Sequence, residues 1–321
     1  MLRLGRLINR NLAASRSITL GYGLVLVAKN HHIPPQACWS PASGAWARSS
    51  LTPDRTGQKQ KRIPMADPIR NYQTRAVPGV AVDIDQGLRA YMIKVYNLMG
   101  LGLLITGLAA IGTIMLATTT DPASAVATLP SGEMLTSFGY AIFGSPLRWV
   151  VMLAPLAAVL FLSFRVQSMS VSAAQTTFWV YAGLVGLSLS SIFLVYTTAS
   201  ISQTFFATAA AFGALSLYGY TTKRDLTAIG SFLIMGLFGL IIAMVINIFL
   251  QSSALSFAVS AIGVLIFSGL TAYDTQKIKE MYFEGDATDV AGRKAIMGAL
   301  TLYLDFINLF MFLLQFMGDR R

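Results

Sequence analysis

Long runs of apolar residues, separated by short polar segments, dominate the chain from about residue 97 onward. A helix needs about 20 residues to cross the hydrocarbon core of a bilayer, so a window of about 19 residues identifies candidate spans. Seven runs pass this test. The predicted spans are residues 97–117, 147–164, 178–198, 201–220, 226–250, 254–273 and 296–316. The pattern therefore predicts an all-α membrane protein with seven transmembrane helices.

The connections between these spans carry their Lys and Arg residues unevenly, and this bias predicts the orientation of the bundle. From Met65 onward there are fourteen Lys and Arg residues, of which eleven fall on the side that holds the N-terminus. Only Arg148, Arg320 and Arg321 fall on the other side. Because cytoplasmic loops retain an excess of basic residues, the N-terminus is predicted to be cytoplasmic and the C-terminus to lie outside.

Residues 1–64 differ from the rest of the chain in composition. They hold ten Lys and Arg residues against one acid, Asp54, and so contribute +9 of the net charge of +10. Three interpretations are open: an organelle-targeting presequence, a secretory signal built on residues 18–28, or an over-long gene start with Met65 as the true first residue. The charge bias of the loops argues against the secretory signal, because cleavage would leave the following segment outside.

Composition narrows the class of protein further. The 321 residues are 55% hydrophobic and 12% charged, whereas a soluble domain carries about 25% charged residues. The single cysteine, Cys38, and the two histidines, His31 and His32, lie in the N-terminal extension, so neither a disulfide framework nor a Cys/His zinc site is expected. Because the chain beyond the extension is nearly neutral, no nucleic-acid face is expected either.

These observations predict three parts. They are a disordered basic extension at residues 1–64, a cytoplasmic N-terminal segment at 65–90 and a seven-helix transmembrane domain at 91–318.

One acidic residue interrupts the last apolar run. Asp305 lies near the middle of that predicted span, where an ionised carboxylate costs at least about 2.5–3.5 kcal/mol on insertion scales. Thr301 and Asn308 share its helix face, at the i−4 and i+3 positions, while the opposite side is Leu and Phe. We therefore expect this polar face to point towards other helices. Asp305 is a candidate functional residue, although hydrogen bonding to Asn308 or to neighbouring backbone would also give it a packing role.

Two further charged residues are candidate partners of Asp305. Asp274 lies at the cytoplasmic end of the sixth predicted span, and Arg165 lies at the end of the second. An arginine beside a carboxylate favours the ionised form, whereas two neighbouring carboxyl groups can share one proton. Ionised carboxylates are also hard oxygen ligands of the kind that Ca²⁺ binds. The three residues are therefore candidates for a pH sensor and gate.

Depth along the membrane normal is the open question for this pair. Asp305 lies about nine residues into its predicted span, roughly 13 Å at 1.5 Å per residue, whereas hydropathy places Asp274 at the border. The two can meet only if a water-filled recess reaches inward or the sixth helix lies deeper than its hydropathy indicates. Otherwise Asp274, which precedes Lys277 and Lys279, is a solvated surface charge.

The segments around these residues resemble a known family. The stretches TTKRDLTAIGSFLIMGLFGLIIAMVINIF, LTAYDTQKIKEMY and ALTLYLDFINLFMFLLQFMG are similar to the Bax inhibitor-1 family, the transmembrane Bax inhibitor motif proteins. The resemblance covers roughly residues 85–318. The preceding stretch, MADPIRNYQTRAVPGVAVDIDQGLRAYM, is similar to that of bacterial members.

The resemblance implies a seven-helix fold whose last helix is central and is wrapped by the others. It also implies a pH-sensitive Ca²⁺ leak channel, not an enzyme, switched by a di-aspartyl pair that corresponds here to Asp274 and Asp305. The arginine that closes the pore corresponds in position to Arg165. No cofactor is implied apart from Ca²⁺ as the transported ion, and the expected partners are membrane lipids, Ca²⁺ and H⁺. The implied location is the bacterial inner membrane, or an organelle membrane if residues 1–64 are a targeting segment.

Alternatives remain open for the regulation and for the function of the protein. The charged segment EMYFEGDATDVAGRK, between the last two spans, is longer than in compact bacterial members, so loop-borne regulation is an open possibility. A membrane scaffold that binds other membrane proteins is the alternative function, and in that case the acidic residues would be structural. An intramembrane aspartyl protease is disfavoured, because the second aspartate follows the bulky LYL rather than a Gly-x-Gly turn.

Overall fold

The computed structural model describes residues 78–129 and 132–320. The predicted basic extension, residues 1–64, lies outside the described residues, as do residues 65–77 of the predicted N-terminal segment. Within the described part of the chain, seven helices are long and apolar enough to cross a membrane, which confirms the predicted all-α class and the number of spans.

Seven long helices, numbered here in chain order, follow the predicted spans. Their bounds are α1 Pro78–Ala117, α2 Leu147–Arg165, α3 Val171–Leu189, α4 Thr198–Thr221, α5 Thr227–Leu250, α6 Ser253–Glu280 and α7 Thr288–Met317. Short 3-10 turns extend α2 through Ser168 and α3 through Leu194. Serine and threonine hydroxyls cap α3, α4 and α6 at Ser170, Thr197 and Ser252, each accepting a backbone N–H of the first turn.

Three helices, α1, α6 and α7, are clearly longer than the apolar runs that predicted them, and α7 begins at Thr288, eight residues before its predicted span. Helix α1 begins at Pro78, well before the predicted span, and α6 continues past residue 273 to Glu280. About half of the charged segment between the last two spans is therefore helical, and residues 281–287 connect α6 to α7. Hydropathy reports transfer into lipid, whereas a helix continues as long as its backbone hydrogen bonds and side-chain packing persist.

The longest connection, residues 118–146, contains small elements of its own. Strands β1 Thr118–Thr119, β2 Ala127–Thr128 and β3 Met134–Leu135 form an antiparallel sheet in the order β1-β3-β2. A short helix, Ser137–Gly139, and a π-helical turn, Tyr140–Gly144, then lead into α2. This connection lies at the end of the bundle opposite to residues 222–226 and 281–287.

Burial places α7 at the centre of the bundle. In its most apolar stretch 83% of the residues are buried, against 17% to 44% in the other six spans. Every residue from Leu302 to Phe312 is buried, so the helix has no lipid-facing side over this stretch. Helices α3, α4 and α6 pack against it, and α5 is the least buried span. The expectation of a central last helix therefore agrees with the structure.

Two ends of the bundle are distinguished by charge. We call the end formed by residues 166–170, 222–226 and 281–287 the basic end. It carries several Lys and Arg residues: Arg165, Lys223, Arg224, Lys277, Lys279, Arg293 and Lys294. The opposite end holds residues 118–146 and the C-terminal residues 318–320. The predicted cytoplasmic orientation of the basic end stays a prediction.

Candidate functional site

Asp274 and Asp305 both lie inside the bundle, on the neighbouring helices α6 and α7. Asp305 has no exposed surface, and Asp274 is 7% exposed. A carboxylate oxygen of each is shielded from solvent. Because removing a charged carboxylate from water is expensive, such groups must be protonated, paired or bound to a cation. Asp274 is therefore not the solvated surface charge that one interpretation of the sequence allowed.

Contacts between α6 and α7 fix the relative depth of the two aspartates. Ile278 packs against Gly298, and Phe312 packs against Gly263, so the antiparallel register is set near both ends. In this register Asp274 lies level with residue 302 of α7, three residues from Asp305. At 1.5 Å per residue the offset is about 4.5 Å along the helix axis. Because α6 lies deeper than its hydropathy indicated, Asp274 and Asp305 differ in depth by only this small offset.

Arg165 occupies a different environment from the two aspartates. It is the last residue of α2 and is exposed at the basic end. Val171, six residues after Arg165, packs against Gly292, so the residues between α2 and α3 lie level with the first two turns of α7. Asp305 lies thirteen residues further along α7, roughly 20 Å deeper. The structure therefore brings Asp274 and Asp305 to adjoining turns and leaves Arg165 apart from them.

Thr301 and Asn308, which were expected to support Asp305, make hydrogen bonds within α7. The Thr301 hydroxyl donates to the Met297 carbonyl at 3.0 Å, and the Asn308 amide donates to the Leu304 carbonyl at 2.8 Å. Asn308 is 2% exposed, so its amide is held inside the bundle. Each of the two side chains therefore makes a hydrogen bond with the backbone of its own helix.

A chain of hydroxyl groups ties the Asp274 turn to two other helices. The Thr275 hydroxyl donates to the Thr271 carbonyl at 2.7 Å and is 3.0 Å from the Ser216 hydroxyl of α4. The Ser216 hydroxyl is 2.6 Å from the Tyr96 hydroxyl of α1. Each hydroxyl has one proton, so Ser216 donates to Thr275 and Tyr96 donates to Ser216. The chain therefore runs from α1 through α4 to α6.

A second group of hydrogen bonds joins α7 to α1 and α3. The Thr106 hydroxyl lies 2.9 Å from the Ala182 carbonyl and 2.6 Å from the Tyr303 hydroxyl. Because its single proton points to a backbone carbonyl, Thr106 accepts the proton of Tyr303. Phe178 and Tyr181 pack edge-on against the Tyr303 ring. These contacts fix the rotation of α7 two residues before Asp305.

Sequence reasoning missed Thr275, Gln276 and the polar stripe of α4. Their signals were a polar run, Asp-Thr-Gln, within a helix that hydropathy ended too early, and a repeat of small polar residues at intervals of four or eight. The buried hydroxyl residues of that stripe are Ser200, Thr204, Thr208 and Ser216. Spacing of four predicts one helix face, but the partner of each hydroxyl depends on helices far away in sequence.

The acidic pair provides only part of a cation site. Among the described residues no group of three or more His, Cys, Asp or Glu side chains could hold a metal ion. Ca²⁺ takes six to eight oxygen ligands, so two carboxyl groups would need carbonyl, hydroxyl or water oxygens beside them. The two carboxyl groups by themselves therefore do not form a complete protein-built cage for Ca²⁺.

The fold and the site define a multi-pass integral membrane protein with a central helix and a buried acidic pair. The family model described as "Inhibitor of apoptosis-promoting Bax1" matches residues 88–321. The chain therefore belongs to the Bax inhibitor-1 family, as the resemblance of its last spans indicated.

Relatives over most of the chain come from several bacteria. A Rickettsia prowazekii protein is 50% identical over 237 residues, which cover 74% of this chain and 92% of the relative. A Caulobacter vibrioides protein is 45% identical over 261 residues, 80% of this chain and 100% of the relative. The Escherichia coli inner membrane protein YbhL is 46% identical over 237 residues, 73% of this chain and 94% of the relative.

Proposed function

We propose that this protein is a pH-sensitive Ca²⁺ leak channel of a bacterial inner membrane. The proposed gate is the pair Asp274 and Asp305, whose shared protonation changes with pH. The location is proposed from the name of the Escherichia coli relative, an inner membrane protein. Membrane lipids, Ca²⁺ and H⁺ are the proposed partners.

The observation that supports this proposal is the burial of two acidic side chains on adjoining turns of α6 and α7. Intramembrane carboxyl groups are rare because they are expensive, and they mark ion and proton pathways more often than they serve packing. Two carboxyl groups in one low-dielectric site favour holding a proton between them. Loss of that proton increases negative charge at the centre of the bundle and creates oxygen ligands for a divalent cation.

Arg165 has a separate place in the proposal. In the mechanism that the family resemblance implies, an arginine closes the pore by pairing with an aspartate. Arg165 is exposed and far from the pair, so this step would require a second arrangement of α2. We include Arg165 as the proposed latch of that second arrangement.

The direction of the pH response separates the two gating steps. If cation binding by ionised carboxylates limits the flux, Ca²⁺ flux rises with pH. If pairing of an ionised aspartate with Arg165 limits it, flux falls with pH, and Arg165→Ala leaves the channel more open at the alkaline end.

The test is Ca²⁺ flux into liposomes that contain the full chain and an enclosed Ca²⁺ dye, between about pH 6 and pH 8. We expect a leak whose rate depends on pH. Asp274→Asn and Asp305→Asn should abolish the leak or make it independent of pH, since an amide cannot titrate. Asp289→Asn is the matched control, because Asp289 is exposed in the first turn of the same helix α7.

Equal flux in all variants and in empty liposomes would overturn the channel proposal and favour the membrane scaffold. A pH-dependent leak that survives in both Asp274→Asn and Asp305→Asn would show that the gate lies elsewhere.

A further inference from the structure

Two connections at the basic end differ in how their basic side chains are used. At the connection between α6 and α7, the Lys294 ammonium pairs with the Asp286 carboxylate. At residues 222–226, which connect α4 to α5, Lys223 and Arg224 are exposed, and neither forms a salt bridge with another described residue. The second connection therefore presents two cations at the surface whose charged groups are available to a partner outside the chain.

Hydrogen bonds hold residues 222–226 against the last turns of α6. The side chain that makes them is Gln276, which is 6% exposed. Its Oε1 accepts a hydrogen bond from the Leu226 N–H at 2.8 Å, and its Nε2 donates to the Arg224 carbonyl at 2.8 Å. The backbone that carries the two exposed cations is therefore fixed to α6 and does not hang free in solvent.

Helix α6 adds two lysines to the same place. The Lys279 ammonium donates to the Tyr220 carbonyl at 2.8 Å and lies 5.6 Å from the centre of the Tyr220 ring, at the end of α4. The Lys277 ammonium lies 5.5 Å from the centre of the Tyr273 ring, which packs against Gly230 in the first turn of α5. One lysine thus adjoins the end of α4, and the other adjoins the start of α5. We call these four cations the basic corner: Lys223, Arg224, Lys277 and Lys279.

Two acidic residues lie beside the basic corner. Hydrogen bonds from Thr227 lower the pKa of Asp225, so its carboxylate is charged at neutral pH, and its Oδ1 accepts the Thr227 N–H at 2.8 Å. Glu280 is exposed as the last residue of α6. Four cations against two anions leave an excess of two positive charges at this corner.

The surface next to the basic corner faces lipid. Helix α5 is the least buried span, at 17%, and its first two turns expose Ile229 by 54% and Phe232 by 68%. Because α4, α5 and α6 are spans, their ends at the basic corner lie at the level of the lipid headgroups. Four or more Lys and Arg residues directly beside a membrane span attract anionic lipids, whose charge lies within a Debye length.

We propose that the basic corner binds the headgroup phosphate of an anionic phospholipid, such as phosphatidylglycerol, whose acyl chains lie along the exposed face of α5. The Arg224 guanidinium offers paired N–H donors to phosphate oxygens, and the lysine ammonium groups supply compact positive charges. A zwitterionic lipid carries its own cation beside the phosphate and gains less from the excess charge. The inference rests neither on the acidic pair nor on Ca²⁺ flux.

Quenching of tryptophan fluorescence by brominated lipid measures which lipid lies beside α5. Ile229→Trp places a reporter in the first turn of that helix. The protein is reconstituted in phosphatidylcholine vesicles with increasing fractions of dibrominated phosphatidylglycerol, and the experiment is repeated with the bromine on phosphatidylcholine. The curves give the relative binding constant of the two lipids at the reporter. The native tryptophans are first replaced by phenylalanine in the full chain: Trp39, Trp46, Trp149 and Trp179.

We expect phosphatidylglycerol to be preferred at the reporter by at least about fivefold, the factor that one cation near a membrane surface contributes. Lys223→Gln combined with Arg224→Gln removes the excess charge and should bring the ratio close to one. Lys223→Arg combined with Arg224→Lys keeps the charge and should retain the preference. Phe249→Trp, 78% exposed at the opposite end of α5, should show no preference.

Loss of the same charge elsewhere separates a local site from the general surface potential. Arg89→Gln combined with Lys94→Gln removes two exposed cations of α1. Tyr91, between them, packs against Tyr282 of the connection between α6 and α7, so they belong to another part of the basic end. This variant should keep the preference of the parent. If it loses as much preference as the variant of the basic corner, or if the parent shows no preference, the inference is wrong.

Inorganic phosphate distinguishes a lipid headgroup from a free anion. Excess phosphate, added at constant ionic strength, should leave the lipid preference unchanged, because screening is then the same in both samples. Displacement of the brominated lipid by phosphate would show that the basic corner takes the free anion and would overturn the lipid assignment. Since these measurements use no Ca²⁺, loss of this inference leaves the channel proposal standing, and absence of Ca²⁺ flux leaves this inference standing.

Discussion

The two halves of the central helix α7 lie in different surroundings. Up to Asp305, the helix makes hydrogen bonds to other helices as well as ring contacts, because Tyr303 bonds to Thr106 and packs against Phe178 and Tyr181. From Phe306 onward, aromatic rings pack against it. Phe306 contacts Phe205 and Phe212 of α4, with ring centroids 5.7 and 5.5 Å apart. The acidic pair thus lies where a polar half meets an aromatic half.

Because of this difference, the contacts of the two halves are expected to differ in how easily they are broken. Polar contacts have exchangeable partners, so water or a change of protonation can break them at modest cost. Packed aromatic rings offer no polar partner, and separating them costs buried area and packing together. We expect the polar half to respond to pH in the proposed mechanism, and the aromatic half to hold the bundle together as a seal beyond the acidic pair.

The largest expected effect is on the aromatic half. Phe306 is 3% exposed and contacts two rings of α4, so Phe306→Ala should remove about 3–5 kcal/mol from the free energy of unfolding. It should also raise the Ca²⁺ leak at every pH, because the seal is opened while the acidic pair is untouched. SDS-induced unfolding in mixed micelles and dye flux in liposomes measure the two effects.

Phe232→Ala is the control for this prediction, since Phe232 is 68% exposed on the lipid-facing helix α5. A similar loss of stability in both variants would mean that ring packing in the aromatic half of α7 contributes no more to the free energy of unfolding than a lipid-facing ring does.

The number and the approximate positions of the spans could be predicted from the sequence. Apolar runs of about 20 residues are sufficient, because crossing a bilayer imposes that length on any helix. That Asp305 faces the interior of the bundle could also be predicted from this residue alone, since a carboxyl group is too costly to face lipid. These inferences depend on the membrane and not on particular neighbours.

The partners of each polar residue could not be read in the same way. Gln276 bonds to residues about fifty positions earlier, and Thr275 bonds to Ser216, which is 59 positions away. Arg165 was paired with the aspartates from its place at a span end, yet the register of α3 against α7 places it near the first turn of α7. Such contacts depend on helix register, which hydropathy does not determine.

A medium effect is expected in the polar half. Thr275→Val keeps the shape of the side chain but removes the hydroxyl that accepts from Ser216 and so breaks the chain from Tyr96. Leaving a buried donor without its acceptor should cost about 1–3 kcal/mol in the free energy of unfolding. Tyr96→Phe removes only the outer end of the chain and should cost about 0.5–1.5 kcal/mol.

Thr221→Val controls for the loss of a threonine hydroxyl, because Thr221 is exposed and bonds only within α4. If the unfolding curves of Thr275→Val and Thr221→Val coincide, the hydroxyl chain does not stabilise the Asp274 turn.

The smallest expected effect concerns the connection between α6 and α7. The Lys294 ammonium pairs with the Asp286 carboxylate at 2.5 Å and donates to the Met281 carbonyl at 3.1 Å, but the two charged side chains are 31% and 15% exposed. Water and salt weaken such a pair, so Lys294→Met should cost no more than about 1 kcal/mol. The difference from the parent should shrink when salt rises from about 0.05 to 0.5 M.

Lys223→Met, at an exposed residue between α4 and α5, gives the baseline for loss of a surface charge. A cost for Lys294→Met above that of Thr275→Val, unchanged by salt, would show that residues 281–287 are held as firmly as the core. A small, salt-sensitive cost would instead show that the exposed ion pair contributes little to the stability of residues 281–287, because water and salt already weaken it.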